Sequence, residues 1–217
     1  MSETQKEETT LIIRQLPLGQ LQTNCYIAGC EDTHEAVVID PGDEAGRILS
    51  ELDRYSLEVV FILNTHAHFD HIGANAALAS ATGAPLAIHE LDVPLLKERG
   101  GAKQFGYEIP SSPEPNLLLE EGSMIKFGRH SLRTLFTPGH TPGHVSFYEE
   151  GAAALFDGDV LFAGGIGRTD LPGGNQERLM ESIERKLMTL PDDTTVYSGH
   201  GPTTTIGQER EVFLGYR

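Results

Sequence analysis

Short apolar runs recur along this chain, and most of them stop at glycine, proline, histidine or aspartate. Runs of this length, rich in β-branched and aromatic residues and bounded by turn formers, read as strands. They fall at residues 11–15, 25–28, 36–39, 59–63, 85–88, 124–127, 131–136, 145–148, 153–156 and 195–197. Helices are expected at 44–54, 72–81, 91–98, 176–189 and 208–214. Strands followed by helices, twice over, fit a layered α/β sandwich better than an all-parallel barrel. There is no internal repeat and no low-complexity tract.

Two stretches lie outside this alternation. Residues 100–116 carry Pro110, Pro113 and Pro115 together with Phe105, Tyr107 and Ile109. A long loop of this kind with aromatic residues reads as a lid, with Tyr107 touching substrate. Residues 164–170 form a glycine-rich turn that ends in Gly167-Arg168-Thr169-Asp170. Arg168 can hold an anionic substrate carboxylate through its fork, or pair with Asp170 and fix the loop.

Composition narrows the class. With 217 residues, one domain over 11–217 is expected, large enough for a full core. Residues 1–10 are polar and acidic, read as a flexible N-terminal tail, and lack the apolar stretch of a secretory signal. No apolar run approaches the ~18 residues of a membrane span, so a cytoplasmic protein is expected. The net charge of −16 opposes binding to nucleic acid, which needs concentrated Lys and Arg. Cys25 and Cys30 are the only cysteines, too few for a disulfide framework or a zinc finger. Cys25 reads as a buried strand residue and Cys30 as a turn residue.

The chemistry concentrates where strands end. Asn64-Thr65-His66-Ala67-His68-Phe69-Asp70-His71 follows the apolar run 59–63 directly. Imidazole and carboxylate have little packing value there and are the donors that borderline divalent ions prefer. In extended chain, residues two apart face the same side, so His66 and His68 can grip one ion together. Asp70 and His71 follow at the turn and can face a neighbouring ion. Three more strand ends carry His or Asp in Gly- or Pro-rich turns: His140 within Thr137–His144, Asp159 after Asp157-Gly158, and His200 within Ser198–Gly201. His144, four residues after His140, reads as near the site or structural rather than as a ligand, because Pro142-Gly143 breaks any shared helical face. His34, His89 and His130 read as ordinary surface or half-buried residues.

This set, with Asn24-Cys25-Tyr26, Ile39-Asp40-Pro41-Gly42 and Gly167-Arg168-Thr169-Asp170, resembles the metallo-β-lactamase-fold hydrolases. Within them it resembles short members of the glyoxalase II-like branch, the hydroxyacylglutathione hydrolases. The resemblance spans residues 11–213 and implies a four-layer αββα sandwich. It also implies two divalent ions, zinc first, with iron or manganese as alternatives. His66, His68 and His140 would hold one ion and Asp70, His71 and His200 the other. Asp159 would bridge them, Asp70 and Asp159 would be the catalytic carboxylates, and Asp40 would orient a ligand imidazole.

The implied reaction is hydrolysis of a small-molecule thioester, such as a glutathione conjugate of the S-lactoylglutathione type, by a metal-bridging hydroxide. Full-length glyoxalase II proteins add a C-terminal helical region that binds glutathione. The stretch after His200 is too short for one, so the resemblance does not fix the thiol. Two alternatives stay open on the same fold. One is a persulfide dioxygenase holding a single iron through His66, His140 and Asp159; the other is a lactonase or ester hydrolase.

Overall fold

The computed structural model describes residues 10–215. The first of its two six-stranded sheets contains β1 (Leu11–Leu18), β2 (Thr23–Cys30), β3 (Glu35–Ile39), β4 (Glu58–Leu63), β5 (Leu86–His89) and β6 (Leu117–Leu119), side by side in that order. Pairing is antiparallel from β1 to β3 and parallel from β3 to β6. The second sheet contains β7 (Met124–Phe127), β8 (His130–Phe136), β9 (Val145–Glu149) and β10 (Ala154–Gly158). A small hairpin, β11 (Leu161–Phe162) and β12 (Gly165–Ile166), precedes its last strands, β13 (Thr195–Ser198) and β14 (Thr204–Thr205). The order is β14-β13-β10-β9-β8-β7, with β10 and β13 parallel.

The helices are α1 (Ala45–Arg54), α2 (Phe69–Ile72), α3 (Asn75–Thr82), α4 (Val93–Lys97), α5 (Gln176–Arg185) and α6 (Ile206–Gly215). Side-chain alternation explains the layering. Along β2, Cys25 and Ile27 face Ile48 and Leu52 of α1 and Leu78 of α3, whereas Tyr26 and Ala28 face the second sheet. Along β10, Phe156 joins that inter-sheet core with Phe127 and Phe147, whereas Leu155 packs beneath Leu179 and Ile183 of α5. Both strands are therefore covered on both faces, as the period of two requires. The result is an α/β fold of layered αββα form. Leu179 and Ile183, four apart on α5, give it one apolar stripe. Asn175 caps α5, its side chain accepting the Arg178 N–H at 2.9 Å.

Several expected boundaries shift. The helix expected at 72–81 is split: α2 begins earlier, at Phe69, and the chain breaks at Gly73 before α3. The helix expected at 91–98 is a 3-10 turn at Glu90–Asp92 followed by α4, and the one expected at 176–189 ends as α helix at Arg185. Strand β6 and the short pairs β11–β12 and β14 carry too few residues for a visible alternation. Cys30 is a buried strand residue rather than a turn residue, and both cysteines are free thiols. His89 and His130 are also buried: His89 stacks on Phe136, and His130 lies 3.2 Å from Glu149. The expected tail over 1–10 lies outside the described residues except for Thr10, whose carbonyl accepts the Glu31 N–H. Among the described residues, no helix is long and apolar enough to cross a membrane.

Candidate metal centre

The turns after β4, β8, β10 and β13 meet at one edge of the stacked sheets. There His66, His68 and His140 bring one ligand atom each within 4.8 Å of one another, and so do Asp70, His71 and His200. Asp159 lies between the two groups. Its Oδ1 is 3.5 Å from His71 Nε2, and its Oδ2 is 3.6 Å from both His140 Nε2 and His200 Nε2. The structure thus brings together every histidine and aspartate singled out as a ligand from the sequence.

Neighbouring hydrogen bonds decide which nitrogen faces the centre. Thr65 Oγ1 donates to Asp40 Oδ2 at 2.6 Å, so it accepts from His66 Nδ1 at 3.0 Å and leaves His66 Nε2 as a lone pair. His71 Nδ1 donates to the same Asp40 oxygen at 3.0 Å, and His140 Nδ1 donates to the Arg168 carbonyl at 2.8 Å. Asp40, His66 and His71 also offer a third cluster of metal-ligating atoms. The Asp40 carboxylate already accepts the Thr65 N–H, the Thr65 hydroxyl and His71. Both of its oxygens are thus engaged in fixing Thr65 and His71. His144 is likewise committed, with Nε2 accepting the Asp159 N–H at 3.2 Å and Nδ1 facing Thr137 Oγ1 at 3.0 Å.

Asp92 was not singled out from the sequence, and it ties two of these turns together. Its Oδ2 accepts the Ala67 N–H at 2.9 Å and the Thr141 hydroxyl at 2.8 Å, and its Oδ1 accepts the Gly143 N–H at 2.7 Å. Ala67 separates His66 from His68, and Thr141 follows His140. Asn24 does the same for His200: its side-chain amide donates to the Ser198 and Gly201 carbonyls, both at 2.9 Å. Its place in Asn24-Cys25-Tyr26 was the only signal; Asp92, in a helix-like stretch, had none. Gly199 must be glycine, because a Cβ there would collide with Asp159 Oδ1 and lie 2.8 Å from His71 Cε1.

The field at the cluster favours positive charge on one side. Burial alone would lower the His71 imidazole, but the carboxylates of Asp70, Asp159 and Asp40 outweigh it and raise it to about 10. His200 is raised against burial by Asp70 and Asp159. Burial opposes ionisation of Asp70, yet His71 and His200 hold its carboxyl below the usual range. On the other side, burial and then the neighbouring imidazoles lower His66, and push His68 down to about 3. Three buried atoms at the centre have no hydrogen-bond partner: His66 Nε2, His71 Nε2 and Asp159 Oδ1. Unpaired buried polar atoms cost about 1–3 kcal/mol each. Imidazole nitrogens beside carboxylate oxygens, all converging, are the donor set that a borderline divalent ion fits, an ion there displacing the proton that the carboxylates otherwise hold on His71.

The metallo-beta-lactamase superfamily profile matches residues 18–200. The chain belongs to the metallo-beta-lactamase superfamily. It is 39% identical over 198 residues to "Hydroxyacylglutathione hydrolase GloC" of Haemophilus influenzae, covering 90% of this chain and 93% of that one. It is 32% identical over 208 residues to "Persulfide dioxygenase ETHE1, mitochondrial" of Homo sapiens, covering 93% and 74%. A crystal structure of TTHA1623 in a di-iron-bound form matches with a TM-score of 0.84 at 44% identity, covering 92% of this chain and 98% of that one. The superfamily's sandwich is the layering described above.

Two other expected site residues lie at the rim. The Arg168 guanidinium donates to both oxygens of Asp170, at 2.7 and 2.8 Å, and is more than half exposed. Only its backbone carbonyl reaches the cluster, through His140. Tyr107 stacks on Phe69 with ring centroids 4.8 Å apart. The stretch expected as an irregular lid begins as a 3-10 segment, Arg99–Phe105, packed on the ligand turn. At Gly100, with φ +61°, a Cβ would collide with the Phe69 amide, so only glycine brings the backbone this close.

Proposed function

We propose that this superfamily member is a two-metal hydrolase of small-molecule thioesters of the hydroxyacylglutathione type. The observation that carries the reading is the Asp159 carboxylate, which faces His140 with one oxygen and His71 with the other and so links the two ligand groups. His66, His68 and His140 would hold one divalent ion, Asp70, His71 and His200 the other, and Asp159 both. Zinc suits donors of nitrogen and oxygen without thiolate; iron and manganese suit them as well, and the likeness to a di-iron-bound structure supports iron. Ions held there lower the pKa of a coordinated water towards ~7 and polarise a carbonyl oxygen.

The chain's own residues supply orientation. Asp40 sets His71 directly and His66 through Thr65. The hydroxyls nearest the cluster are committed elsewhere: Thr23 donates to Asp70, Thr65 to Asp40 and Thr141 to Asp92. A protein nucleophile with a free base is therefore not what the cluster offers, and water is the attacking group. Tyr107 borders the substrate, and Arg168 would meet an anionic substrate only by releasing Asp170.

The likeness to ETHE1 supports a second reading, a persulfide dioxygenase with one iron held by His66, His140 and Asp159. Elemental analysis of the purified protein, with S-lactoylglutathione hydrolysis on the same sample, separates the two. About two metals per chain with turnover is the expected result. One iron per chain, no thioester turnover and oxygen uptake with glutathione persulfide would replace the hydrolase by the dioxygenase.

A further inference from the structure

Beside Asp70 the chain encloses a groove of about 100 Å³. Leu18, Leu21, Phe69, Tyr107 and Ile109 form its apolar walls. It opens directly on the second ligand group, because Asp70 lines it and accepts the Thr23 hydroxyl at 2.9 Å. Phe69 and Tyr107 present stacked rings on one side, and the Tyr107 hydroxyl reaches across to Gln20 Oε1 at 3.4 Å. Leu21 stands at the rim, 44% exposed.

The charges lining the groove are of one sign. Asp43 and Asp70 contribute carboxylates, and among the described residues no Lys, Arg or His lines it. With Asp70 committed to a metal ion, an anionic group entering the groove would still lose water against the apolar walls and find the Asp43 carboxylate but no chain cation to pair with. The two carboxylates of a glutathione moiety are therefore directed elsewhere, and the part of a thioester left to enter is the acyl chain. A groove of that volume has room for a chain of a few carbons.

Resting on the thioester reading above, we propose that this groove is the acyl subsite and that it selects short, uncharged aliphatic acyl groups over acyl groups bearing a carboxylate. The test compares acetyl-, butanoyl- and succinyl-glutathione with the metal-loaded protein and with its Leu21→Lys and Tyr107→Ala variants. Thermal melts check that both variants stay folded. Methylenes that fill an apolar pocket are worth about tenfold or more in kcat/KM, so butanoyl should exceed acetyl and succinyl by at least that factor. Tyr107→Ala should bring the butanoyl-to-acetyl ratio to within about threefold of unity. Leu21→Lys should raise succinyl relative to butanoyl by about tenfold, since it places a cation at the rim. Turnover with equal rates for the three acyl groups, or ratios untouched by both substitutions, overturns the acyl subsite alone. Absence of turnover with these three and with S-lactoylglutathione overturns the thioester reading as well, whereas turnover of S-lactoylglutathione alone overturns only the acyl subsite.

Discussion

The metal cluster and the groove beside it share Asp70 yet are built in opposite ways. In the cluster, His66, His71 and His140 each have one nitrogen fixed by a chain acceptor and the other left facing the centre. Those acceptors are anchored in turn: Asp40 takes three donors, and Asp92 holds the turns of both sheets. In the groove, Tyr107 is held by a ring stack and one long hydrogen bond, and Leu21 by its place at a hairpin tip. Geometry that must be exact to a few tenths of an ångström is over-determined, whereas the part that meets variable substrate atoms is lightly held and easily changed.

Substitutions at the cluster should therefore cost far more than those at its rim. Asp159→Ala should have the largest effect. Metal content is expected to fall to one ion per chain or fewer, and thioester turnover by more than ~100-fold, beyond the usual loss from a supporting residue. Full loading and full activity in that variant would contradict the bridging role. Asp40→Ala removes the acceptor of His71 and of Thr65 and should weaken metal binding by about 10–100-fold. Competition with a chromogenic chelator measures this, and unchanged affinity would mean that packing alone orients the imidazoles.

Asp92→Asn sharpens the contrast by acting on the turns instead of the ligands. Its amide would face one of three donors, so denaturant unfolding of the metal-free protein should show a loss of about 2 kcal/mol. Wild-type stability would show that the two turns hold their positions without this carboxylate. The smallest effect is expected at Arg168→Ala. The Arg168–Asp170 pair is exposed, and the contact with His140 belongs to the backbone. Metal content and kcat/KM should stay within about twofold. A tenfold drop in kcat/KM with metal retained would place the guanidinium on substrate and move it from rim to chemistry.

The converging histidines and aspartates were legible in the sequence because a strand end is a local feature. An apolar run followed by His66-Ala67-His68 announces both the scaffold and the donor atoms within one short window. The layered sandwich was legible for the same reason, through runs that alternate faces. Asp92 was not, because its meaning lies in partners far along the chain: the Ala67 N–H, 25 residues away, and the Gly143 N–H, 51 residues away. No periodicity marks a residue whose role is to receive donors from other turns. The 3-10 segment Arg99–Phe105 was hidden likewise. Its form depends on Gly100 pressing against Phe69, a tertiary contact that overrides the loop-like composition.

Cys25 and Cys30 sit fully buried on β2, five positions apart and so on opposite faces of the strand. Burial raises the Cys25 thiol well above its ordinary value. A thiol reagent in solution can reach Cys25 only after α1 and α3 have lifted from β2 or the strand has parted from its neighbours, so its labelling rate times the opening of that helix–sheet layer. The chain thus carries its own clock for that motion, readable by mass spectrometry in the unsubstituted protein, with and without metal.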